Sequence, residues 1–587
     1  MSRTLFKEVG YHLSKLIHDI DHGDIGLPDL QRPFVWKNSQ VRNLFDSMYK
    51  GFPVGYFLFW ATDDGRNTRN IGSDTKQVNI PRLLIVDGQQ RLTSLYAVLK
   101  GQKILNENYE EVSIQIAFRP KDGRFEVADA AIKKDPEYIA DISSVWKDGY
   151  STWELINNFL SRLRKSKEVS REEEMTISRA IDRLYNLKDY PFTAVEISST
   201  VDEEQVSEIF VRINSQGKQL NQADFILTLL SVFWDEGRKE LEEFSRLSRI
   251  PVGPHNEPTP YNHFIHPHPD QLLRVGIGLG LKRARLKNVY SVLRGKDLET
   301  GLFSETKRVE QFNVLKEAQK HVLSIQNWHD FFHAIIKAGF RSHRMISSET
   351  TIIYAYIMYL IGKIDYKIDH YQLQHLIARW FFMTSITRRY TSSPETVMER
   401  DLTRLRDVPS KEGFINVINH LIDSSLTNDF WNITLVEALE TSTNRTPTLF
   451  AYYAALNLLD ARVLFSNMKI RELMDPMLQG QRSPIERHHL FPKAYLKSIG
   501  IETNREINQI ANYAFVEWKD NSEIADQSPK EYLPKYTSRF SDEELEAMYH
   551  VHALPIGWED MSYHEFLRKR RQLMARIIKE GFDTLEK

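Results

Sequence analysis

The sequence predicts an α+β protein that is predominantly helical. Strand-like apolar runs alternate with helical spacing over roughly the first 235 residues. From about Phe233 to Leu421 the apolar spacing is almost wholly helical, and after Phe430 it is helical, then mixed around Arg482 to Lys519, then helical again. A chain of 587 residues is too long for one core. We therefore predict three domains, over residues 1–235, 236–425 and 426–587.

Composition narrows the class of protein. The contents of 41% hydrophobic and 27% charged residues are typical of a soluble globular protein. The sequence has no long apolar run and no signal-like start, so we expect a cytoplasmic protein without a membrane partner. The absence of cysteine excludes disulfides, thiolate zinc sites and a cysteine nucleophile. The net charge of −2 argues against indiscriminate nucleic-acid affinity, but it leaves a local DNA-binding patch open.

Several elements can be placed in the first region. The spacing predicts helices over Val9 to Ile20 and Ser39 to Met48, and an aromatic strand from Tyr56 to Trp60. The apolar run from Arg82 to Val86 predicts a buried strand, and Gln89 to Leu99 predicts a helix. Further expectations are an exposed loop (Asp63 to Lys76), a strand pair (Glu111 to Phe118 and Gly123 to Val127), a strand (Val195 to Ile197) and a helix (Glu203 to Ile213).

The turn between that buried strand and the following helix is a candidate anion site. It reads Asp87, Gly88, Gln89, Gln90, Arg91. A helix N-terminus presents backbone N–H groups and the positive end of its dipole, and glycine lets a phosphate come close. Arg91 and the two glutamines could add donors to phosphate oxygens. A simple Asp-Gly turn, capped by Asp87 and with a solvated Arg91, is supported equally by these residues alone.

A loop from Pro251 to Pro269 contains four histidines: His255, His263, His266 and His268. Their spacing is irregular and no cluster of acidic residues accompanies them, so a solvated loop is favoured over a metal site. Two basic runs, residues 282–287 and 568–571, could contact a phosphate backbone, although such runs are more often solvated helix faces. The second run is the better DNA candidate because it follows the C-terminal motif described next.

Residues 486–492 read Glu-Arg-His-His-Leu-Phe-Pro. Cleavage of a phosphodiester needs a base that activates water and a cation that stabilises negative charge, and neutral imidazole suits the base near pH 7. Neighbouring strand residues point to opposite faces, so His489 would need a twist or bulge to reach the same cleft as His488. Since the chain has 19 histidines, an adjacent pair alone is weak support.

Two later segments strengthen the signal: residues 508–516 read Asn-Gln-Ile-Ala-Asn-Tyr-Ala-Phe-Val, and residues 520–526 read Asp-Asn-Ser-Glu-Ile-Ala-Asp. In order and spacing, the three segments resemble the ββα-metal site of HNH endonucleases, although Tyr-Ala at 513–514 departs from the commoner Leu-Thr. The resemblance implies that His488 and Asn521 are metal ligands, with Glu486 as an auxiliary ligand. It further implies that His489 is the general base and that Asn512 holds its loop. The implied metal is Mg²⁺ or Mn²⁺.

The N-terminal region resembles a second family. Residues 27–36 read Leu-Pro-Asp-Leu-Gln-Arg-Pro-Phe-Val-Trp, residues 85–95 contain the turn described above, and residues 210–220 with Asp224 form a third block. Together they resemble the ParB/sulfiredoxin-like domain of the GmrSD family, the type IV modification-dependent restriction endonucleases. The resemblance implies a nucleoside triphosphate site that includes Arg32, Arg212 and residues 87–91. Another similar block, from Arg388 to Asp401, has no assigned role, and a capped helix-end loop explains it equally well.

The combined expectation is an NTP-regulated, modification-dependent DNA endonuclease for anti-phage defence. Its architecture would be a ParB/sulfiredoxin-like nucleotide-binding domain, a helical connector and an HNH nuclease domain embedded in helices. Its partners would be double-stranded, modified phage DNA and a nucleotide (GTP, ATP, UTP or CTP), and a homodimer stays open. The alternative is a nucleotide-sensing DNA-binding protein whose HNH domain is degenerate or only nicks, and RNA cleavage also stays open.

Overall fold

The computed structural model divides into two compact units, Met1–Arg238 and Lys239–Lys587. It describes residues 4–28, 34–61, 68–69, 81–106, 108–147, 151–201, 205–206, 209, 222–253, 256–296, 304–478 and 485–586. Both units contain helices and strands, and the second is almost entirely helical, so the protein is α+β and predominantly helical as predicted. Within the described ranges, no helix combines the length and apolar character needed to cross a membrane. The predicted division at residue 425 stays a prediction.

The first unit contains a central sheet and surrounding helices. Its strands are β1 (Phe6–His12), β2 (Ile25–Pro28), β3 (Phe57–Ala61), β4 (Thr68–Arg69), β5 (Leu83–Asp87), β6 (Lys103–Leu105), β7 (Glu111–Ser113), β8 (Ile116–Arg119), β9 (Arg124–Val127) and β10 (Pro191–Ile197). Its helices are α1 (Leu13–Asp21), α2 (Asn38–Lys50), α3 (Gln89–Lys100), α4 (Thr152–Arg164), α5 (Arg171–Tyr185) and α6 (Gln222–Phe233), and α7 (Asp235–Leu247) runs across the boundary.

The six-stranded sheet has the order β1-β10-β3-β5-β2-β4 and mixes parallel and antiparallel pairs. Strand β5 lies inside it and is buried on both faces, which explains its continuous apolar sequence. Leu83 and Ile85 belong to the large core on one side, whereas Leu84 and Val86 belong to a smaller core on the other. Strand β5 ends at Asp87, and α3 begins at Gln89 after the single residue Gly88.

Two sequence-based elements differ from the structure. The predicted helix from Val9 is a strand followed by a helix, because Phe6–His12 pairs antiparallel with Pro191–Ile197 before α1 starts. The predicted strand from Glu111 to Phe118 is two strands: β7 pairs with β6, and β8 pairs with β9. In both places the pairing partner, rather than the local apolar spacing, decides the conformation. The predicted loop at 63–76 and helix at 203–213 lie largely outside the described residues.

The second unit is a helical assembly with one two-stranded sheet, β11 (Ile485–His489) and β12 (Tyr513–Glu517). Its longer helices are α8 (Pro269–Leu281), α9 (Leu286–Leu293), α10 (Glu305–Val322), α11 (Ile325–Lys337), α12 (Glu349–Leu360), α13 (His370–Ile386), α14 (Pro394–Leu405), α15 (Lys411–Ser425), α17 (Pro447–Leu458), α22 (Pro529–Thr537), α23 (Asp542–Val551) and α24 (Tyr563–Asp583). The shorter ones are α16 (Leu435–Ala438), α18 (Ile470–Leu473), α19 (Lys493–Ser498), α20 (Asn504–Ile507) and α21 (Trp518–Ile524).

Two buried helices, α12 and α13, lie at the centre of this unit, which accounts for their nearly uninterrupted apolar sequences. The C-terminal helix α24 packs closely on α17 through a glycine. A Cβ atom at Gly581 would lie 2.7 Å from the Ala455 Cα, so no larger residue fits without a shift. Helix α24 also contacts the turn before β12, where Arg570 donates to the Ala511 carbonyl, so it connects the small sheet to the helices.

Candidate active site

The candidate C-terminal site is built by a strand, a second strand and a helix. β11 and β12 pair antiparallel with a continuous register that sets His488 opposite Ala514 and His489 opposite Tyr513. Helix α21 begins directly after β12 and contacts both strands. This arrangement brings Asn521, 33 residues further along the chain, to the side chain of His488.

The His488 imidazole is buried and held by one amide. Its Nδ1 lies 2.8 Å from the Asn521 Oδ1, while its Nε2 is buried without a hydrogen-bond partner among the described residues. Burial lowers the pKa of His488 to about 4 because it disfavours the charged imidazolium, and the hydrogen bond with Asn521 offsets this only in part. The ring is therefore neutral near pH 7, with a lone pair available for a ligand.

The His489 imidazole is oriented by Asn508. Its Nε2 lies 3.0 Å from the Asn508 Oδ1, and that oxygen also accepts a hydrogen bond from the Tyr513 hydroxyl at 3.2 Å. An amide oxygen is an acceptor, so the Nε2 carries the proton and the Nδ1 keeps its lone pair. Burial lowers the pKa of His489, the bond with Asn508 opposes this, and the charges of Lys493 and Arg487 lower the pKa further.

Both histidines line one cleft of about 500 Å³. The β11–β12 pairing contains no bulge, because its register is unbroken through His489. His489 instead reaches the cleft because β11 ends at this residue and the chain bends before Pro492. The other lining residues are Pro492, Lys493, Ala494, Lys497, Asn521, Ala525 and Asp526.

Asn512 lies fully buried behind the cleft and fastens the segment that follows His489. Its Oδ1 accepts from the Phe491 N–H at 2.9 Å, and its Nδ2 donates to the Phe491 carbonyl and the Ile507 carbonyl, both at 3.1 Å. The backbone N–H of Leu490 also donates to the Asn512 carbonyl at 2.8 Å. The structure therefore places Asn512 where it fixes the backbone beside His489 rather than in the cleft itself.

Arg570 supports the same loop, which its place in a basic run did not indicate. The side chain is fully buried and donates to the Ala511 carbonyl at 2.8 Å and to the His552 carbonyl at 3.1 Å. It ties α24 to the short turn that carries Asn512. Asn508 likewise had no predicted role, although it stands at the head of the motif at 508–516. Neither contact could be found from sequence, because both depend on how the loop folds back.

The donors in the cleft fit a divalent cation of the Mg²⁺ or Mn²⁺ type. Adjacent ligands of an octahedral Mg²⁺, each bound at about 2.1 Å, lie about 3 Å apart. The His488 Nδ1 and the Asn521 Oδ1 are 2.8 Å apart, which is close to this value, so both could bind one cation once their hydrogen bond is released and the ring proton moves to Nε2. The described residues contain no group of three or more His, Cys, Asp or Glu side chains suited to a metal, so water and phosphate would complete the shell. The side chain of Glu486 lies outside the described residues.

The predicted anion site of the first unit is a tight strand-to-helix turn. Gly88 has φ +95° and precedes α3, and a Cβ atom there would lie 2.5 Å from the Phe57 ring. Arg91 donates to the Val54 carbonyl at 2.7 Å and to the Tyr56 carbonyl at 2.8 Å. Burial lowers the pKa of its guanidinium, which the charge of Asp87 opposes. Arg91 is therefore not solvated, and at least two of its donors hold the loop before β3.

The remaining residues of this prediction have different outcomes. The Gln90 side chain is buried, and its Oε1 accepts from the Val35 N–H at 2.9 Å, which connects α3 to the end of the 27–36 motif. Asp87 lies 3.7 Å from an Arg91 Nη, and Gln89 is half-buried. Arg32 and Arg212 lie outside the described residues, so their predicted roles stay predictions.

The two basic runs are largely engaged within the fold. In the first, Lys282 pairs with Asp365 at 2.6 Å and Arg283 with Glu399 at 2.9 Å. In the second, Arg570 is buried, Lys569 pairs with Glu565 at 2.9 Å and Arg571 with Glu440 at 3.1 Å. These contacts leave less of each run available to DNA than the sequence suggested.

The block from Arg388 to Asp401 is a buried ion-pair network. Arg389 forms two hydrogen bonds with the fully buried Asp401 carboxylate, at 2.9 and 2.5 Å, and the Tyr390 hydroxyl donates to it at 2.9 Å. Ser393 caps α14 from the left-handed region instead of through its hydroxyl. The network joins the end of α13 to α14, which is a structural role for the block.

The described histidines of the 251–269 loop are used internally. His266 Nδ1 lies 2.7 Å from the Ser248 carbonyl, His268 Nδ1 lies 3.3 Å from Arg249, and His263 contacts the Met477 sulfur at 3.2 Å. His255 lies outside the described residues. The loop therefore has more side-chain hydrogen bonds to the protein than the predicted solvated segment would have.

Comparison with known proteins adds a family to this geometry. Residues 13–231 match the family model described as the N-terminal domain of the GmrSD restriction endonuclease. An uncharacterized protein of Methanocaldococcus jannaschii is 22% identical over 553 residues, which cover 89% of this chain and 86% of that protein. The likeness to this relative thus extends through both units.

The matched domain gives the class first: residues 13–231 resemble a domain found in restriction endonucleases. This region is similar to the N-terminal domain of the GmrSD restriction endonucleases, and the match covers less than half of the chain. The model match ends at residue 231, so the C-terminal cleft is described by its own geometry.

Proposed function

We propose that the protein is an NTP-regulated, modification-dependent DNA endonuclease that acts in anti-phage defence and cuts at an HNH-type site. The observation that carries the proposal is the arrangement of His488, His489 and Asn521 around one cleft of a strand–strand–helix unit. Similarity of the N-terminal region to that family supports the DNA substrate class. The modification and the nucleotide are part of the proposal.

His489 is the proposed general base. Its Nδ1 keeps a lone pair because the Nε2 donates to Asn508, and the lowered pKa keeps the ring neutral at pH 7. Such a nitrogen can accept a proton from water as the water attacks phosphorus. Asn512 fixes the backbone after His489, and the Tyr513 ring, 4.5 Å away, limits the rotation of the imidazole. These contacts hold the nitrogen in one orientation.

His488 and Asn521 would hold a Mg²⁺ or Mn²⁺ ion. Bound there, the cation would supply stabilisation of the negative charge on the phosphate and on the leaving oxygen. The chain would contribute the imidazole of His488, which burial keeps neutral, and the amide oxygen of Asn521. Two such ligands suit a cation that retains most of its water. Glu486 stays a proposed auxiliary ligand.

The proposed nucleotide site uses the N-terminus of α3, with Asp87 to Arg91, Arg32 and Arg212 around it. Support comes from the 12-residue helix that starts after Gly88 and from the family match over this region. We propose that nucleotide binding there regulates cleavage and is followed by hydrolysis. Release of phosphate by the full chain, measured with each NTP, tests hydrolysis separately from binding.

The deciding experiment compares matched modified and unmodified DNA duplexes. The full chain is incubated with Mg²⁺ or Mn²⁺, with and without each NTP, and His489→Ala and added chelator serve as controls. We expect cleavage of modified DNA that needs both metal and nucleotide. DNA binding without any cleavage would instead support a nucleotide-sensing DNA-binding protein with a degenerate nuclease domain, and single-strand cuts would support a nicking enzyme.

A further inference from the structure

The cleft has a second kind of side chain whose role the catalytic assignment leaves open. Lys493 and Lys497 lie on α19, the short helix that follows β11, and both line the same cleft as the two histidines. They are four residues apart and therefore lie on one helix face. Both are exposed, whereas Leu496 of the same helix is fully buried and anchors it. The fold thus directs both ammonium groups to the cleft.

Neither lysine forms an ion pair or hydrogen bond with another side chain in the described part of the chain. Nearby basic residues differ in this respect. Lys530 pairs with Asp560 at 2.6 Å and Lys535 with Glu523 at 2.7 Å, so their charges are largely compensated by the protein. Among the described residues that line the cleft, the one carboxylate is that of Asp526, which pairs with neither lysine.

Lys493 and His489 line the same cleft, and only four positions separate them along the chain. A DNA strand that presents a phosphate to His489 would bring the neighbouring phosphates past α19. Two uncompensated ammonium groups on one wall of the cleft are suited to that polyanion.

We propose that Lys493 and Lys497 bind two backbone phosphates of the DNA strand being cut and hold it across the cleft. This inference rests on the proposed nuclease function, which it extends by naming the residues that position the substrate. The contacts are to phosphate, so they would be independent of base sequence. The lysines are positioning residues, and the chemistry stays with His489.

The test measures how salt affects DNA binding by the full-length chain. Each lysine is changed to glutamine in a His489→Ala background, which prevents cutting, and binding to an unmodified duplex is followed by fluorescence anisotropy. Each phosphate contact contributes a slope of about −0.9 to log K against log salt concentration. The slope of each single variant should therefore be less negative than that of the parent by about 0.9. Between about 50 and about 200 mM salt, the affinity of the variant should then fall about 3.5-fold less than that of the parent.

Two controls make the result specific. Lys530→Gln removes the same charge from a paired surface lysine and should leave the slope unchanged. Lys493→Arg and Lys497→Arg keep the charge and should retain it. Unfolding temperatures should match that of the parent because both lysines are exposed. Slopes of Lys493→Gln and Lys497→Gln that equal that of Lys530→Gln would overturn the inference.

Cleavage by the otherwise unmodified protein gives a second readout. Lys497→Gln should raise KM for DNA several-fold with little change in kcat, because it removes a ground-state contact. A chain that cuts DNA but whose lysine variants show no change in slope or KM refutes the phosphate contacts and leaves the nuclease proposal standing. A chain that cuts no DNA, yet loses slope in both lysine variants, refutes the nuclease proposal and leaves the DNA-binding surface standing.

Discussion

The turn after β5 and the cleft after β11 are built from the same local parts but use their polar groups differently. In each, a strand ends at a polar residue and a helix follows closely, after Gly88 in one case and after Pro492 in the other. At the first turn the Arg91 guanidinium donates to the Val54 and Tyr56 carbonyls of its own fold. At the cleft, within the part of the chain that the structure describes, the His488 Nε2 is buried without a hydrogen-bond partner and Lys493 and Lys497 form no ion pair.

This difference shows that the type of a polar residue does not decide whether its side chain is available to a ligand. An arginine at a helix N-terminus has the chemistry of a phosphate ligand, yet here it is needed to hold a loop. The Asn508 amide is hydrogen-bonded to His489 and the Asn521 amide to His488, so one nitrogen of each ring keeps its lone pair. We therefore expect substitutions at the cleft to affect chemistry first, and substitutions of Arg91 to affect stability first.

The largest expected effect is that of His489→Ala. Removal of a general base costs about 10²- to 10⁴-fold in rate, so cleavage of modified DNA should fall to near background. Nucleotide binding should be unchanged, because the predicted nucleotide site lies in the other unit. The measurements are single-turnover cleavage and nucleotide titration of the same preparation. Cutting at the parental rate by this variant would disprove the assignment of the base.

Arg91→Ala should act on the fold of the first unit. It leaves two carbonyl oxygens without a charged donor, which we expect to cost about 2–4 kcal/mol of local stability. Hydrogen exchange of the β3 and β5 amides, followed by mass spectrometry, should show the loss directly. Arg91→Lys keeps the charge but cannot reach both carbonyls, so it should be intermediate.

The same two Arg91 variants can contradict the difference between the turn after β5 and the cleft after β11. If Arg91 is chiefly a phosphate ligand, Arg91→Lys will weaken nucleotide binding while exchange in β3 and β5 stays at the parental level. That outcome would make the two sites alike in use as well as in construction. The Gln89→Ala variant is then a better probe of nucleotide binding than Arg91→Ala, whose effect on the fold would obscure it.

These contrasts show what the sequence could and could not predict. The strand from Arg82 to Val86, the Asp-Gly break and the helix after it were predicted because each depends on local composition. The partners of Arg91 lie 37 and 35 residues away, so their use of its donors depends on how the chain returns to β3. The first strand was predicted as helix for the same reason, because Phe6–His12 pairs with residues that follow almost 190 positions later.

In the second unit, the motif spacing correctly grouped His488 and Asn521, since a strand–strand–helix brings them together. It could not reveal Asn508, whose partner depends on the fold of the loop between β11 and β12. It also could not show that Arg570 is buried, because a run of basic residues on a helix does not reveal which of them faces the core. For this run the sequence gives the side-chain types, but it does not give the direction in which each side chain points.

Asn508→Ala should have a smaller effect than loss of His489. It removes the acceptor that selects the Nε2–H form and holds the ring, and such supporting contacts are typically worth about 10- to 100-fold in activity. We expect a loss in kcat with little change in KM, because DNA binding is unaffected. Asn508→Asp keeps an acceptor oxygen at the same place and should recover part of the rate. Equal losses in both variants would indicate a general disturbance of the loop.

The smallest effect should come from Lys569→Gln, which tests the basic run that the sequence favoured for DNA. Lys569 is paired with Glu565 on the same helix at 2.9 Å, and its neighbours Arg570 and Arg571 are respectively buried and paired. Loss of an exposed i,i+4 pair costs about 0.3–0.5 kcal/mol, so the protein should fold normally. Its salt slope for duplex DNA should equal that of the parent.

The comparison that gives this last result its meaning is with Lys497→Gln, measured on the same duplex. Both variants remove one lysine charge near the C-terminal site, but only Lys497 lines the cleft. A slope change of about 0.9 for Lys569→Gln would show that an ion-paired helix face also binds phosphate. An ion pair within the fold would then not prevent a basic residue from binding DNA. Internal pairing would therefore not explain the difference between Arg91 and the cleft.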